Sequence, residues 1–101
     1  MGAHSFETVS RGKNHEVAYN NAVERAEYDY GHDPYNGTIS TTSGFKMKEL
    51  PPDVKTKEEF YAWLKANEDD LLDTTEKWDK CWCIKLPHHE DHYLFIGWAA
   101  S

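Results

Sequence analysis

The sequence predicts an α+β domain in which helices cover one face of a mostly antiparallel sheet. Two helical patterns alternate with segments rich in β-branched and aromatic residues, which gives the order β-α-β-α-β-β. Aromatic residues make up 14% of the 101 residues and supply enough bulk for one core. Helices gathered on one side of such a sheet form a two-layer sandwich, and we assign residues 1–101 to this single domain.

The first half of the chain predicts a strand, a helix and a second strand. Residues 4–11 alternate in polarity, as half-buried strands do. Asn14 is a good N-cap for a helix that reaches about Tyr30 and carries an alanine every four residues on its buried side. Residues 38–47, rich in Thr and Ser, are expected to form the next strand. A right-handed crossover through the helix allows the two strands to run parallel.

The second half predicts a capped helix followed by a hairpin. Thr56 and Glu59 have the spacing of a capping box, and Asn67 is expected to end this helix and to start a short further one. Residues 80–86 and 92–100 alternate in polarity around a polar turn and are expected to pair as a terminal hairpin. The predicted core contains ten apolar residues from all elements: Phe6, Ala22, Ala26, Ile39, Phe60, Trp63, Leu64, Ile84, Phe95 and Trp98.

Charge and cysteine usage narrow the classes of function. The net charge of −7 disfavours direct binding to nucleic acid, because an acidic surface repels phosphate backbones. No apolar run approaches the roughly 18–20 residues that a membrane span needs, so we expect a cytoplasmic protein without membrane contact. Cys81 and Cys83 stand two residues apart, a spacing that suits neither a relaxed disulfide nor a Cys-x-x-Cys metal site.

The leading candidate site is the segment 28–42. Three tyrosines, one histidine and four hydroxyl residues fall within these fifteen positions, where tyrosine rings can stack on a flat group and polar groups can bond it. The predicted ligand-binding residues are Tyr30, His32, Asp33, Tyr35, Asn36 and Thr38, with Arg11 or Arg25 for a phosphate. The alternative is a structural turn anchored by its tyrosines. The Thr/Ser run 38–43 is either a weak phosphate site or a solvated edge strand.

The hairpin turn contains residues that ligate metals. His88, His89 and His92 stand beside Glu90 and Asp91, and the cysteines are placed across the hairpin. Consecutive ligand-type residues point in alternating directions, so a hydrated polar turn is the favoured interpretation and no metal is expected. Cys83 as a nucleophile would need a general base within hydrogen-bonding distance, and only the hairpin histidines are candidates close to it in sequence. We therefore expect no cofactor and no catalytic activity.

A second interpretation concerns residues 58–79, which hold eight acidic residues. Such a segment either keeps the protein soluble or imitates the phosphate row of DNA and blocks a nucleic-acid-binding protein.

Three stretches resemble a family of small tailed-phage and prophage proteins: AVERA at 22–26, YGHDPYNGTI at 30–39 and YLFIGWA at 93–99. The resemblance implies a compact accessory protein inside an infected bacterium, where it inhibits host defence by sequestering a nucleotide signal or by binding a host protein. It transfers no site residues. The leading functional hypothesis is thus a binding module for a small polar ligand such as a signalling nucleotide, and the alternative is an acidic inhibitor of a host nucleic-acid-binding protein.

Overall fold

The computed structural model describes residues 3–30, 38–75 and 79–100. In chain order these ranges form β1 (Ala3–Arg11), α1 (His15–Tyr30), a 3₁₀ helix (Ile39–Thr41), β2 (Phe45–Met47), α2 (Lys57–Asp73), β3 (Cys81–Lys85) and β4 (His92–Ala100). The predicted α+β class is confirmed. Within the same ranges, no helix is both long and apolar enough to cross a membrane.

The strands form one sheet in the order β1-β4-β3-β2. β1 and β4 pair antiparallel over their full lengths, from Ala3 opposite Ala100 to Arg11 opposite His92. β3 and β4 form the predicted antiparallel hairpin, whereas β2 pairs with β3 in parallel. The sheet is therefore mostly antiparallel, as expected, with one parallel pair at the β2 edge.

The two helices lie on opposite faces of the sheet, which corrects the predicted two-layer arrangement. Successive side chains of a strand point to opposite faces. In β3, Cys81 and Cys83 pack with the alanines of α1, whereas Ile84 packs with Phe60 and Leu64 of α2. The molecule consequently has three layers, with one hydrophobic cluster on each side of the sheet.

The path of the chain explains why the helices separate. β1, β2 and β3 run in the same direction; the chain crosses from the β1 edge to the β2 edge through α1 and returns to β3 through α2. Crossovers between such strands nearly always have the same right hand. Two crossovers of one hand that move in opposite directions must lie on opposite faces. β1 and β2 thus share a direction but are not neighbours, and the adjacent parallel pair is β2 with β3.

α1 begins as predicted and packs closely against the end of β1. The Val17 amide donates a hydrogen bond of 2.9 Å to the Asn14 side chain, which confirms the N-cap. Ala18, Ala22 and Ala26 are buried against the sheet. Gly12 is required at the β1–α1 turn because a Cβ there would collide with the backbone of Ala18.

α2 has the predicted capping box but does not break at Asn67. Glu59 donates its amide to the Thr56 hydroxyl oxygen at 3.1 Å and accepts the Thr56 amide at 3.0 Å. Asn67 instead donates from its side chain to the Trp63 carbonyl at 2.8 Å, so one helix continues to Asp73. The prediction of a separate second helix was wrong, since the Asn67 amide is used inside the helix rather than as a cap.

The predicted strand 38–47 is only partly formed. The structure has the 3₁₀ helix first, and pairing with β3 is confined to Phe45–Met47. Thr41 and Thr42 donate their hydroxyls to the carbonyls of Thr38 and Ile39 at 2.9 and 2.7 Å. Hydroxyl-to-carbonyl bonds three residues apart stabilise a turn, and here they replace the expected ladder bonds.

Seven of the ten predicted core residues are buried: Ala22, Ala26, Ile39, Phe60, Leu64, Ile84 and Phe95. Phe6 and Trp63 are half-buried and pack against the two clusters. Trp98 is half-buried and donates its indole N–H to the Leu72 carbonyl at 2.7 Å. More of β4 is buried than the sequence predicted. Its consecutive residues Leu94, Phe95 and Ile96 are all buried, because a helix covers each face of the sheet.

Candidate functional site

The predicted ligand segment is only partly described. His32, Asp33, Tyr35 and Asn36 lie outside the described residues, as does the side chain of Tyr30. Thr38 is described and half-buried, just before the 3₁₀ helix. The geometry of the candidate site therefore depends on Thr38, Arg11, Arg25 and their neighbours.

The carboxyl end of β1 is fixed firmly beside α1. Asn21 of α1 donates its side-chain amide to the Arg11 carbonyl at 2.9 Å, and the Gly12 amide donates to the Asp91 carbonyl at 2.9 Å. Both backbone groups at this turn are thereby satisfied. The Arg11 side chain starts from a rigid position, although its guanidinium is exposed.

A cavity of about 630 Å³ lies between this turn and the outer side of α1. Arg11 and Gly12 form one wall, and Asn21, Glu24, Arg25 and Tyr28 of α1 form the other. Positions 21, 25 and 28 share one side of a helix because they are separated by four and three residues. The structure therefore brings Arg11 and Arg25 to the same cavity, although they are distant in sequence.

A second cavity of about 250 Å³ also lies beside α1. Its lining includes Arg25 and Asp29 of α1, Thr8 of β1, and Thr38. Arg25 contributes to both cavities, and we call the two together the α1 groove. Of the predicted ligand-binding residues, the groove unites Arg11, Arg25 and Thr38.

Charge and exposure decide what the α1 groove can bind. Tyr28 is 91% exposed, an unusual state for a large aromatic ring, and it stands beside two exposed guanidinium groups. Glu24 and Asp29 bring negative charge to the same walls and limit the attraction for anions. The groove can stack a flat group and pair one or two negatively charged oxygens.

The hydroxyl run does not form an independent phosphate site. Thr41 and Thr42 donate to backbone carbonyls, and the Thr42 hydroxyl also bonds the Tyr19 hydroxyl at 2.7 Å. These bonds hold the segment against α1. Their role is structural. The alternative interpretation of this run as an edge strand is wrong as well, because Ile39–Thr41 is a 3₁₀ helix and pairing with β3 begins at Phe45.

The thiols lie in the core rather than in a site. Cys81 and Cys83 are free and fully buried on the α1 side of the sheet. Burial raises the pKa of each thiol to about 12, so neither is a thiolate near neutral pH. This state does not support the interpretation of Cys83 as a nucleophile.

The histidines of the hairpin turn lie in ring contact. The centroids of His88 and His89 are 4.8 Å apart, and those of His89 and His92 are 5.0 Å apart. Nevertheless, the described part of the chain holds no group of three His, Cys, Asp or Glu side chains that could hold a metal ion. The sequence suggested that the cysteines lie near these rings, but both thiols pack in the hydrophobic cluster between the sheet and α1.

The acidic segment contributes a different surface. Asp69, Asp70 and Asp73 are exposed in the last turns of α2, while Glu68 is half-buried and faces β1. Glu7 of β1 lines the same cavity of about 210 Å³ as Glu68. Partial burial and the nearby Glu68 carboxylate raise the pKa of Glu7 above its ordinary value. Negative charge therefore continues from α2 onto the edge strand β1.

Comparison with known proteins adds no family assignment. No family model, no curated protein and no solved structure matches this chain. The resemblance to small phage proteins stays a prediction from the sequence.

Proposed function

We propose that the protein is a binding module whose α1 groove takes a small, flat, anionic ligand, with a nucleotide as the best match. The observation that carries this proposal is the position of Arg25, which lines both cavities of the groove. Arg11 and Tyr28 flank Arg25 in the larger cavity, and Thr38 lines the smaller one. These groups offer the two contacts that a nucleotide needs, for its phosphate and for its base.

The chemistry of the side chains supports this ligand class. A guanidinium presents several N–H donors in a planar fork that matches phosphate oxygens, and it keeps its charge at any physiological pH. An exposed tyrosine ring offers a face for a base at little entropic cost. The acidic Glu24 favours ligands with donor groups over bare phosphate. His32, Asp33, Tyr35 and Asn36 lie outside the described residues, and their part in the proposed site is predicted from the sequence alone.

The biological role that we propose follows from the phage-like resemblance. A protein that binds a signalling nucleotide inside an infected bacterium lowers the free concentration of that signal. Such sequestration inhibits a nucleotide-dependent host defence without any catalytic step. The proposed place of action is the host cytoplasm, and the proposal needs neither a cofactor nor a metal.

Thermal denaturation against mono-, di- and cyclic nucleotides tests the proposal. A ligand at about 100 times its Kd adds about 2.7 kcal/mol to the free energy of unfolding, or roughly 11–22 °C in Tm for a domain of this size. Arg25→Gln removes a charge-assisted contact and should weaken binding about 10- to 100-fold. Lys13→Gln removes one nearby charge outside the groove and is the matched control.

The base contact needs its own variant. Tyr28→Ala should weaken nucleotide binding by about tenfold, in line with the loss of one stacking contact, while leaving any binding of inorganic phosphate unchanged. The proposal is wrong if no nucleotide changes Tm, or if Arg25→Gln and Lys13→Gln bind one equally well.

The alternative function, an acidic inhibitor of a host nucleic-acid-binding protein, is supported by the surface around α2. Glu68, Asp69, Asp70 and Asp73 carry four carboxylates within six positions, and Glu7 extends them onto β1. Carboxylates spaced along a surface can occupy a basic groove that normally holds phosphates. This mode predicts a salt-sensitive complex and uses a surface distinct from the α1 groove.

Charge reversal at these four positions tests the alternative. In pull-downs from bacterial lysate, every host protein that binds the parent should fail to bind the variant in which all four carboxylates are replaced by Lys. Binding to the parent should weaken steeply as the salt concentration rises. Partners that remain bound to the folded variant would exclude mimicry, whereas nucleotide binding in the α1 groove should be unaffected.

A further inference from the structure

A second pocket lies at the carboxyl ends of the two parallel strands. The Lys48 amide donates to the Cys83 carbonyl at 2.9 Å, directly after Met47 and Cys83, the last residue pair of β2 and β3. Residues 47–50 and 85–90 line a cavity of about 610 Å³ between them. We call it the β2–β3 pocket. Sheets with parallel strands commonly bind ligands at this end.

Histidine rings form one side of the pocket and are fixed by aromatic packing. The His88 ring lies 6.0 Å from the Phe60 ring and 6.2 Å from the Tyr61 ring of α2. His89 stands between His88 and His92, in contact with both. His88 Nδ1 is shielded from solvent and bonds no group in the described ranges. A shielded polar atom without a partner is costly, and a bound ligand can satisfy it.

The balance of charge in the pocket depends on the imidazoles. Lys48 and Lys85 oppose Glu49 and Glu90, so the lining is formally neutral while His88 and His89 are neutral. Protonation of both rings adds two positive charges to a chain whose net charge is −7.

The groups that face His88 oppose its protonation. Desolvation lowers the pKa of His88 below its ordinary value. The neighbouring His89 and Lys57 lower it further, Glu58 raises it, and His92 has the smallest lowering effect. The second glutamate near the rings, Glu90, uses its backbone carbonyl to bond His92 Nδ1 at 2.7 Å. An anion in the pocket would remove this electrostatic penalty and favour the protonated ring.

We propose that the β2–β3 pocket is a second binding site, selective for a tetrahedral oxyanion such as a phosphate group, and that His88, His89, Lys48 and Lys85 hold the ligand. Binding is coupled to proton uptake, because the site gains its positive charge only when the imidazoles are protonated. The site is independent of the α1 groove: the two share no lining residue.

Calorimetric titration of the full chain with sulfate tests the site. Sulfate keeps its charge across the range in which histidine titrates, so any pH dependence belongs to the protein. We expect sulfate to bind about tenfold more weakly at about pH 7.5 than at about pH 5.5. Because sulfate binding and protonation are coupled, bound sulfate should raise the pKa of His88, as measured by NMR, by roughly one unit. Acetate, a planar monoanion, should bind more weakly than sulfate.

Variants separate this site from general charge effects. His89→Gln and Lys85→Gln change exposed side chains and should each weaken sulfate binding several-fold without unfolding the protein. Lys80→Gln, at the opposite end of β3, is the matched control and should bind like the parent. Sulfate binding that is absent, independent of pH or equal in all three variants would overturn the proposal. Loss of binding in Arg25→Gln would assign the anion to the α1 groove instead.

Discussion

Cys81 and Cys83 show how burial sets the chemistry of single residues. Both thiols are fully buried beneath α1, and Cys81 donates its S–H to the Gly44 carbonyl at 3.5 Å. Gly97 of β4 leaves room for Cys81, because a Cβ at position 97 would lie 2.9 Å from the Cys81 Cβ. The thiols therefore act as small apolar side chains that let two strands and a helix approach closely.

We expect both thiols to resist modification in the folded protein. With pKa values of about 12, only roughly one thiol in 10,000 is ionised at pH 8, and neither is accessible. A colorimetric thiol reagent should therefore react at least about 100-fold more slowly with native protein than with protein in denaturant. Fast reaction of either cysteine under native conditions would show that the core is not closed as described.

Glu7 and Glu68 should destabilise the fold at neutral pH. The folded-state pKa of Glu7 is raised from 4.5 by desolvation and by Glu68, so stability falls as pH rises through the window above 4.5. Glu7→Gln should raise the free energy of unfolding at pH 7 by a few tenths of a kcal/mol, a small value because Glu7 is largely exposed and solvent screens the charge.

Urea denaturation at two pH values measures this effect. The gain from Glu7→Gln should vanish below about pH 4, where Glu7 is protonated in both states. Glu68→Gln should give part of the same gain, and the double variant should gain less than the sum. Glu49→Gln, on the opposite edge of the sheet, serves as the control. A loss of stability at pH 7 in Glu7→Gln would show that the two carboxylates do not repel each other.

At the scale of elements, α2 is held at both ends. The capping box fixes its first turn, and Trp82 donates its indole N–H to the Leu71 carbonyl and the Thr74 hydroxyl at 3.1 and 2.9 Å. Lys46 reaches the Thr74 carbonyl at 3.0 Å and lies over the Trp82 ring. The carbonyls in the last turn of a helix have no partner within the helix, and here side chains of neighbouring strands bond them.

The N-cap of α2 offers a direct test of this element. Thr56→Ala removes the hydroxyl that accepts the Glu59 amide and should cost about 1 kcal/mol, or roughly 4–8 °C in Tm. Thr56→Asp keeps an acceptor at the same position and should remain near the parent in stability. Thermal melts followed by circular dichroism compare the two. Equal loss in both variants would mean that the hydroxyl does not cap the helix.

Local signals in the sequence were sufficient for some elements and insufficient for others. Asn14 and the pair Thr56 and Glu59 predicted helix starts correctly, because a cap depends only on residues within one turn. Residues 38–47 were predicted as a strand from their β-branched content, but Thr41 and Thr42 bond their own backbone instead. Composition did not reveal that competition, which depends on the rotamer and the local turn.

At the scale of the whole molecule, the path of the chain determines which side chains meet. The class was predictable from the order of elements, whereas the opposite placement of α1 and α2 depends on strand order, which no local pattern contains. The same order brings Arg11 beside His92 at one end of the sheet. The sequence suggested Arg11 or Arg25 as phosphate partners, and the shared cavity of these two residues emerged only from the structure.

The α1 groove and the β2–β3 pocket lie at the same end of the sheet. Arg11 ends β1 and Lys85 ends β3, and these strands run in the same direction. The acidic last turns of α2 lie near the start of β3, where Trp82 bonds Leu71. The two regions that we propose as anion sites are thereby separated from the acidic end of α2, which reduces the repulsion that the net charge of −7 exerts on a ligand.

Chemical-shift mapping with the nucleotide that most raises Tm tests the central proposal most directly. Amide signals of a ¹⁵N-labelled full-length sample are followed during titration with this nucleotide at about pH 7.5. We expect the largest changes at Gly12, Asn21, Arg25, Tyr28 and Thr38, and we expect Arg25→Gln to suppress them. Changes confined to residues 47–50 and 85–90 or to α2, with the signals of the α1 groove unmoved, would contradict the proposed function.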